Sequence, residues 1–174
     1  MFPVLNTDRL VLRELKINDA QAILNCFSNS DVLRHYGQNA LTSLDQVKHI
    51  INNFSKNYDE KRGIKWGIEL KGQGGIIGTI GFQEWSTEHR RAEISYALFP
   101  ESWGKGYAME AVNRVISFGF QEMDLVRIGA IVFTENDASN KLLTKVGFEK
   151  EGILKKYMHQ NQVPYDTYIY SLIR

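Results

Sequence analysis

Residues 102–111 read Ser-Trp-Gly-Lys-Gly-Tyr-Ala-Met-Glu-Ala, with Gly104 and Gly106 two apart at the mouth of a helical pattern. Glycine has no Cβ, so its backbone reaches positive φ and lets a ligand come close to the amide N–H groups. Those amides, with the unsatisfied N–H groups of a helix's first turn and the positive end of its dipole, suit a phosphate or pyrophosphate. A tight turn with no ligand is the other reading of the same glycines. Two familiar phosphate loops do not match. A dinucleotide fingerprint needs a third small residue where Met109 stands, and a P-loop needs Ser or Thr where Gly106 follows Lys105.

The flanking elements must aim this loop. Upstream, Ala92, Ile94, Tyr96 and Leu98 alternate with Arg91, Glu93, Ser95 and Ala97, the period of a strand, and Pro100 stops it by fixing φ and removing a donor. Downstream, Ala108, Ala111, Val112, Val115 and Gly119 recur at helical spacing. A first strand runs through Leu10-Val11-Leu12 and ends near Leu15. Asn18 caps a helix with the stripe Ala20, Ile23, Leu24 and Phe27, and Ser43 with Gln46 forms a capping box for a second. That second helix carries Val47, Ile50, Ile51, Phe54 and Tyr58 on one side. Residues 64–70 and 76–84 pair across the turn Lys71-Gly72-Gln73-Gly74, and Gly78 and Gly81 mark a bulge or a close backbone approach. Residues 127–133 form a short apolar strand. Asn136 caps a helix that Gly147 ends, and residues 148–157 and 163–173 form a hairpin over Asn161-Gln162. Residues 31–42 are polar and irregular; their Arg34, His35 and Tyr36 either line an acceptor pocket or belong to an ordinary connection.

Composition sets the outer bounds. A chain of 174 residues reads as one domain, 1–174, and a net charge of +1 lacks the basic excess of a nucleic-acid or anionic-membrane binder. No apolar run approaches the roughly 18 residues of a membrane span, and Met1-Phe2-Pro3 does not open a signal peptide, so a cytoplasmic protein is expected. The single Cys26 excludes an intrachain disulfide and falls on an apolar helix face, as a small buried hydrophobe would. His35, His49, His89 and His159 lack ligand spacing, and no metal is expected.

Trp103-Gly104-Lys105-Gly106-Tyr107-Ala108 resembles the Q/R-x-x-G-x-G/A signature of the GNAT acetyltransferases, with Trp103 in place of Gln or Arg, and Pro100-Glu101 before it with Glu110-Ala111 after it resemble the RimJ/RimL branch. The resemblance extends through Thr7-Asp8-Arg9-Leu10, Gly75 to Gly81, Arg91-Ala92-Glu93-Ile94-Ser95-Tyr96, Asn136 with Ser139, Lys145-Val146-Gly147-Phe148 and Asp166 to Leu172. It implies an α/β (α+β) GNAT fold: a central mixed, mostly antiparallel sheet of about seven strands, flanked by about four helices, with a V-shaped cleft between strands four and five. The cosubstrate it implies is acetyl-CoA, its pyrophosphate on the amides of Gly104 to Ala108 and its pantetheine along Ala97, Leu98 and Phe99.

The acceptor it implies is an amine, at a peptide N-terminus or in a small molecule such as a polyamine or aminoglycoside. A non-catalytic acyl-CoA-binding module is the competing class. An α-amino group titrates near 8 and lysine near 10.4, so a base must take a proton. Glu93 is the first candidate, on the face opposite Ile94 and Tyr96, and Glu84 the second. The tyrosine that many family members use as a proton donor falls at Leu143, so Ser139 takes that role with Asn136 holding the cofactor. The family commonly dimerises, and Tyr157, Tyr165, Tyr168 and Tyr170 either cover a partner or close the protein's own core.

Overall fold

The computed structural model describes Met1–Arg174. Eight strands form one sheet in the order β1-β2-β3-β4-β5-β6-β8-β7: Leu5–Asn6, Leu10–Glu14, Ile64–Leu70, Ile76–Ser86, Arg91–Leu98, Arg127–Phe133, Glu149–Gln160 and Val163–Ile173 for β1 to β8. Five α-helices, α1 Ala20–Phe27, α2 Ser30–Leu33, α3 Leu44–Asp59, α4 Tyr107–Gln121 and α5 Asp137–Val146, cover its faces. The count exceeds seven strands and four helices by the two shortest elements, the edge strand β1 and the single turn α2, which are too brief to show any period. The Asn29 side chain caps α2 by accepting from the Asp31 and Val32 N–H groups.

Only β5 and β6 run parallel, and they pair at three positions, Arg91 with Arg127, Ala92 with Ile128 and Glu93 with Gly129. Beyond Glu93 the two strands part. The V therefore opens where expected, between the fourth and fifth of the strands read from the sequence.

Each face of the sheet carries its own core. Ile64, Trp66, Ile68, Phe82, Ile94 and Leu98 pack with Ala111, Val112 and Val115 of α4, while Ile76 and Ala97 pack on the other side with Ile23, Cys26, Val47 and Ile51 of α1 and α3. Gly119 shows what close packing demands: a Cβ there would stand 2.8 Å from Phe82 Cζ. A glycine inside a helix costs about 1 kcal/mol against alanine, and complete burial of a phenylalanine gains roughly 1.5–3 kcal/mol, so the exchange favours the fold. Cys26 is 3% exposed, as a small buried hydrophobe should be.

Some local readings shift. Asn18 does not cap α1; it lies in a 3-10 turn, Ile17–Asp19, whose Asp19 carboxylate accepts from the Lys16 N–H and from the Arg13 guanidinium. An ion pair to a strand outcompetes a local cap there. Ser43 does cap α3 by accepting from Gln46 N–H, but the Gln46 side chain returns to Thr42 instead of Ser43. Gly78 and Gly81 mark close approach, since a Cβ would fall 2.2 Å from Ala97 O and 2.1 Å from Ile64 O. Asn161 and Gln162 have φ of 51° and 65°, so the last hairpin makes its two-residue turn without glycine. Its aromatics mainly serve the protein's own core: Tyr170 is 2% exposed, Tyr168 packs beside it, Tyr165 stacks on Phe133, and Tyr157 alone faces outward.

Candidate active site

The glycine loop arrives at α4 in left-handed geometry, with φ of 72° at Gly104 and 81° at Gly106, the N-cap of the helix. The first intrahelical bond runs from Glu110 N–H to Gly106 O, so the amides before it have no acceptor within the helix. A Cβ at Gly104 would meet nothing within 4 Å, which leaves the loop open to a ligand. A brace from the chain's start holds it in place. Arg9 donates to Lys105 O at 2.9 Å and to Glu110 Oε2 at 2.7 Å, its guanidinium lies over the Tyr107 ring, and Glu110 Oε1 accepts from Thr7 and from Arg9 N–H. Those bonds hold the Glu110 carboxyl below its usual range against the effect of burial.

A cavity of about 760 Å³ extends from this loop along the strand gap to α5. Trp103, Gly104, Gly106, Tyr107 and Ala108 line it, as do Ala97, Leu98, Asn136 and Ser139. Lys105 does not; its ammonium donates to Glu101 O. Phe99 is also outside, because its N–H is taken by Ile77 O on β4. Strand alternation then turns the N–H groups of Leu98 and Tyr96 toward the edge that β6 has left free. The Trp103 indole N–H donates to Leu98 O at 3.0 Å, so the tryptophan closes the end of that edge.

A second cavity, about 300 Å³, lies on the α1 and α3 side. His35, Tyr36, Tyr96, Asn136 and Ser139 line both, so the two spaces meet at these side chains. At the meeting point the hydroxyls of Tyr96 and Ser139 are 2.7 Å apart, and Ser139 N–H donates to Asn136 Oδ1. Burial pushes the Tyr96 phenol up to about 12, which keeps it protonated. His35 Nδ1 is buried and has no hydrogen-bond partner. The irregular segment is thus a lining, although Arg34 faces only the larger cavity. It is pinned from afar: buried Gln160 accepts from Gly37 N–H and donates to Leu33 O.

The two carboxylates stand apart. Glu93 occupies the vertex of the V and lines neither of these cavities; burial raises its carboxyl, with Gln83, Arg91 and Arg127 pulling the other way. Glu84 sits exposed on a bulge of β4 at φ 49°, beside a third, outer cavity with Arg62, Lys65 and Arg91. Glu84 lines neither of the two cavities that Tyr96 and Ser139 share.

Residues 9–149 match the model of the acetyltransferase (GNAT) domain. The chain belongs to the GNAT acetyltransferase family. It is 52% identical over all of its length to YoaA of Bacillus subtilis, an uncharacterised N-acetyltransferase of which 98% is covered, and 25% identical over all of its length to YdaF of the same organism, a putative ribosomal N-acetyltransferase covered to 96%. Among solved structures, spermidine N-acetyltransferase from Vibrio cholerae, in complex with CoA and spermine, superposes with a TM-score of 0.85 at 25% identity over 96% of each chain. As a GNAT enzyme the protein is an acetyl-CoA-dependent N-acetyltransferase. The open amide cradle, the free strand edge and a cavity of this size fit that cosubstrate.

Three features of this GNAT site lie outside the motif residues. Tyr96 belongs to a family-like strand, yet nothing in the sequence marks its hydroxyl as a partner of Ser139. The pairing of Arg9 with Glu110 was present as two family-like residues 101 positions apart, with nothing local to join them. Lys65 resembles any polar strand residue, yet it lines the second cavity.

Proposed function

We propose that residues 1–174 act as one catalytic unit that transfers acetyl to an α-amino group, at a peptide N-terminus in the first instance, by direct attack in a ternary complex. The observation that carries this reading is the Tyr96–Ser139 contact at the junction of the two cavities, beside the unpaired edge of β5. The larger cavity takes acetyl-CoA, with the pyrophosphate on the amides of Gly104, Gly106, Tyr107 and Ala108 and Asn136 fixing the far wall. Leu98 N–H donates to the thioester oxygen where negative charge develops. Ser139 gives its proton to the departing sulfur and recovers one from Tyr96, which is reprotonated by water in the cavity. Glu93 receives the amine's proton through water that passes Ser95 and is oriented by Gln83.

The smaller cavity takes the acceptor. Orientation of the two substrates supplies several kcal/mol of the barrier, and no covalent enzyme intermediate is required. The likeness to YdaF supports a ribosomal-protein N-terminus, and the likeness to spermidine acetyltransferases keeps small amines in the test. We place the activity in the cytoplasm, where acetyl-CoA is supplied. The experiment is thiol release from acetyl-CoA over peptides that differ in their first residue, lysine peptides, polyamines and aminoglycosides. Release with N-terminal peptides is expected. Release with none of them, while acetyl-CoA binds, would overturn the N-terminal reading and leave an acceptor outside the panel or a binding module.

A further inference from the structure

Lys65 lies on β3 opposite Gly81 of β4, which in turn lies opposite Ser95 of β5. Gly81 presents no side chain, so the lysine stem crosses it and the ammonium donates to Ser95 Oγ at 2.8 Å. The Phe54 ring from α3 lies 5.8 Å away, at the outer limit of a cation–π contact. An ammonium has three donors, and one is used. No carboxylate lies within 4.0 Å of it, although nine other ion pairs form in this chain. A sheltered cation without a counter-ion opposes folding, and such groups are normally paired. Burial lowers this one to about 8, so it remains largely charged at neutral pH.

Its surroundings state what would complete it. None of the 22 residues around the acceptor cavity is Asp or Glu. The walls are apolar and aromatic, with Phe27, Ile50, Phe54, Ile131 and Met158 among them. Next to it, the outer cavity that Lys65 also lines brings Arg62 and Arg91 against one acid, Glu84. A polyamine needs carboxylates for its second and third charges and would find a cation instead.

We propose that Lys65 is a specificity residue of the acceptor cavity and selects an amine that also bears a carboxylate over a polyamine or a neutral amine. The assignment rests on the reading of the second cavity as the acceptor site. The carboxylate belongs to a free amino acid or to an acidic side chain beside a peptide N-terminus; both offer an amine and an anion on one molecule.

The test compares matched acceptors: methionine with methioninamide, a Met-Glu peptide with its Met-Gln counterpart, and spermidine. Thiol release reads turnover, and calorimetry with the N-acetylated forms of the same compounds reads binding without turnover. Wild type is expected to favour the carboxylate member of at least one pair by about tenfold or more, the ratio for roughly 1.4 kcal/mol from a charged hydrogen bond. Lys65→Met erases the ratio, and Lys65→Arg restores part of it. The pair that discriminates identifies the source, amino acid or peptide. Wild-type preference for spermidine or for the neutral members overturns the proposal, as does a Lys65→Met enzyme that keeps the ratio or loses all acceptors equally. Carboxylate-selective binding without turnover would leave Lys65 as assigned and defeat the catalytic reading alone. Neither selectivity nor turnover would defeat both.

Discussion

Lys65→Met should make the protein more stable near neutral pH and should lose that advantage in alkali. The side chain's shift from 10.5 to about 8 corresponds to roughly 3 kcal/mol at 1.36 kcal/mol per pKa unit. Lys65 keeps some exposure through the cavities it lines, so screening reduces this to about 2 kcal/mol. The unfolded chain holds its proton to about pH 10.5 and the native chain only to about 8. Between those values the unfolded state binds more protons, so wild-type stability rises with pH across the window. Below 8 the penalty is present in full. Methionine occupies the stem's path without the charge, and the lost bond to Ser95 costs about 1 kcal/mol at every pH. The net gain is therefore about 1 kcal/mol near pH 7. The pH-dependent part is about 2 kcal/mol and disappears by about pH 10. Urea denaturation of both proteins at the two pH values measures it, and in the difference other titrating groups cancel. A variant less stable than wild type near pH 7 by more than the lost hydrogen bond, or a difference that does not move with pH, would refute the account of an uncompensated cation. A gain in stability with a loss of acceptor selectivity is the exchange expected where a site holds a destabilising group for function.

Four further outcomes are expected. Gly104→Asp adds a side chain where a Cβ meets nothing, at a φ that Asp tolerates, so the fold should survive while acetyl-CoA affinity by calorimetry falls at least about tenfold through repulsion of phosphate. Ser139→Ala should lower kcat by about a hundredfold with unchanged acetyl-CoA affinity, and Tyr96→Phe should share that loss instead of adding to it, because the two hydroxyls act as one relay. Burial raises the Glu93 carboxyl, so wild-type turnover should fall with pH as that group protonates; Glu93→Gln should be slow at every pH and lack this limb, and untouched turnover would pass the role to His35. Gln160→Ala leaves the Gly37 N–H unpaired and Leu33 O with the Tyr36 N–H alone, costing about 1–3 kcal/mol in thermal denaturation, and should raise KM for the acceptor more than for acetyl-CoA.

Much of the fold was legible because its signals are local. Alternation over residues 91–98, helical spacing after Gly106, the Asn136 cap and the Gly147 stop each involve neighbours a few residues apart, and each element formed there. The glycine loop was legible for the same reason: positive φ next to a helix start is a property of a short segment. Asn18 and the Gln46 half of the capping box depart from the sequence pattern because a distant or shifted partner offers a better bond. Lys105 and Phe99 sit inside the right motif, yet their functional groups turn to Glu101 O and Ile77 O, a matter of side-chain and ladder geometry that the motif does not encode.

Residue types and their short spacings sufficed for the family, the cosubstrate and the left-handed glycine loop at the start of α4. Tertiary structure alone brought together the residues proposed for the acceptor side. Tyr96 meets Ser139 across 43 positions, Lys65 reaches Ser95 across 30, and Gln160 holds the segment at Leu33 and Gly37 from more than 120 positions away. None of these residues carries a local signature, because a hydroxyl, an ammonium or an amide is ordinary wherever water can satisfy it. Each became informative only when the splay of β5 from β6 and the bare surface of Gly81 fixed which groups lost their water and which partners remained to them.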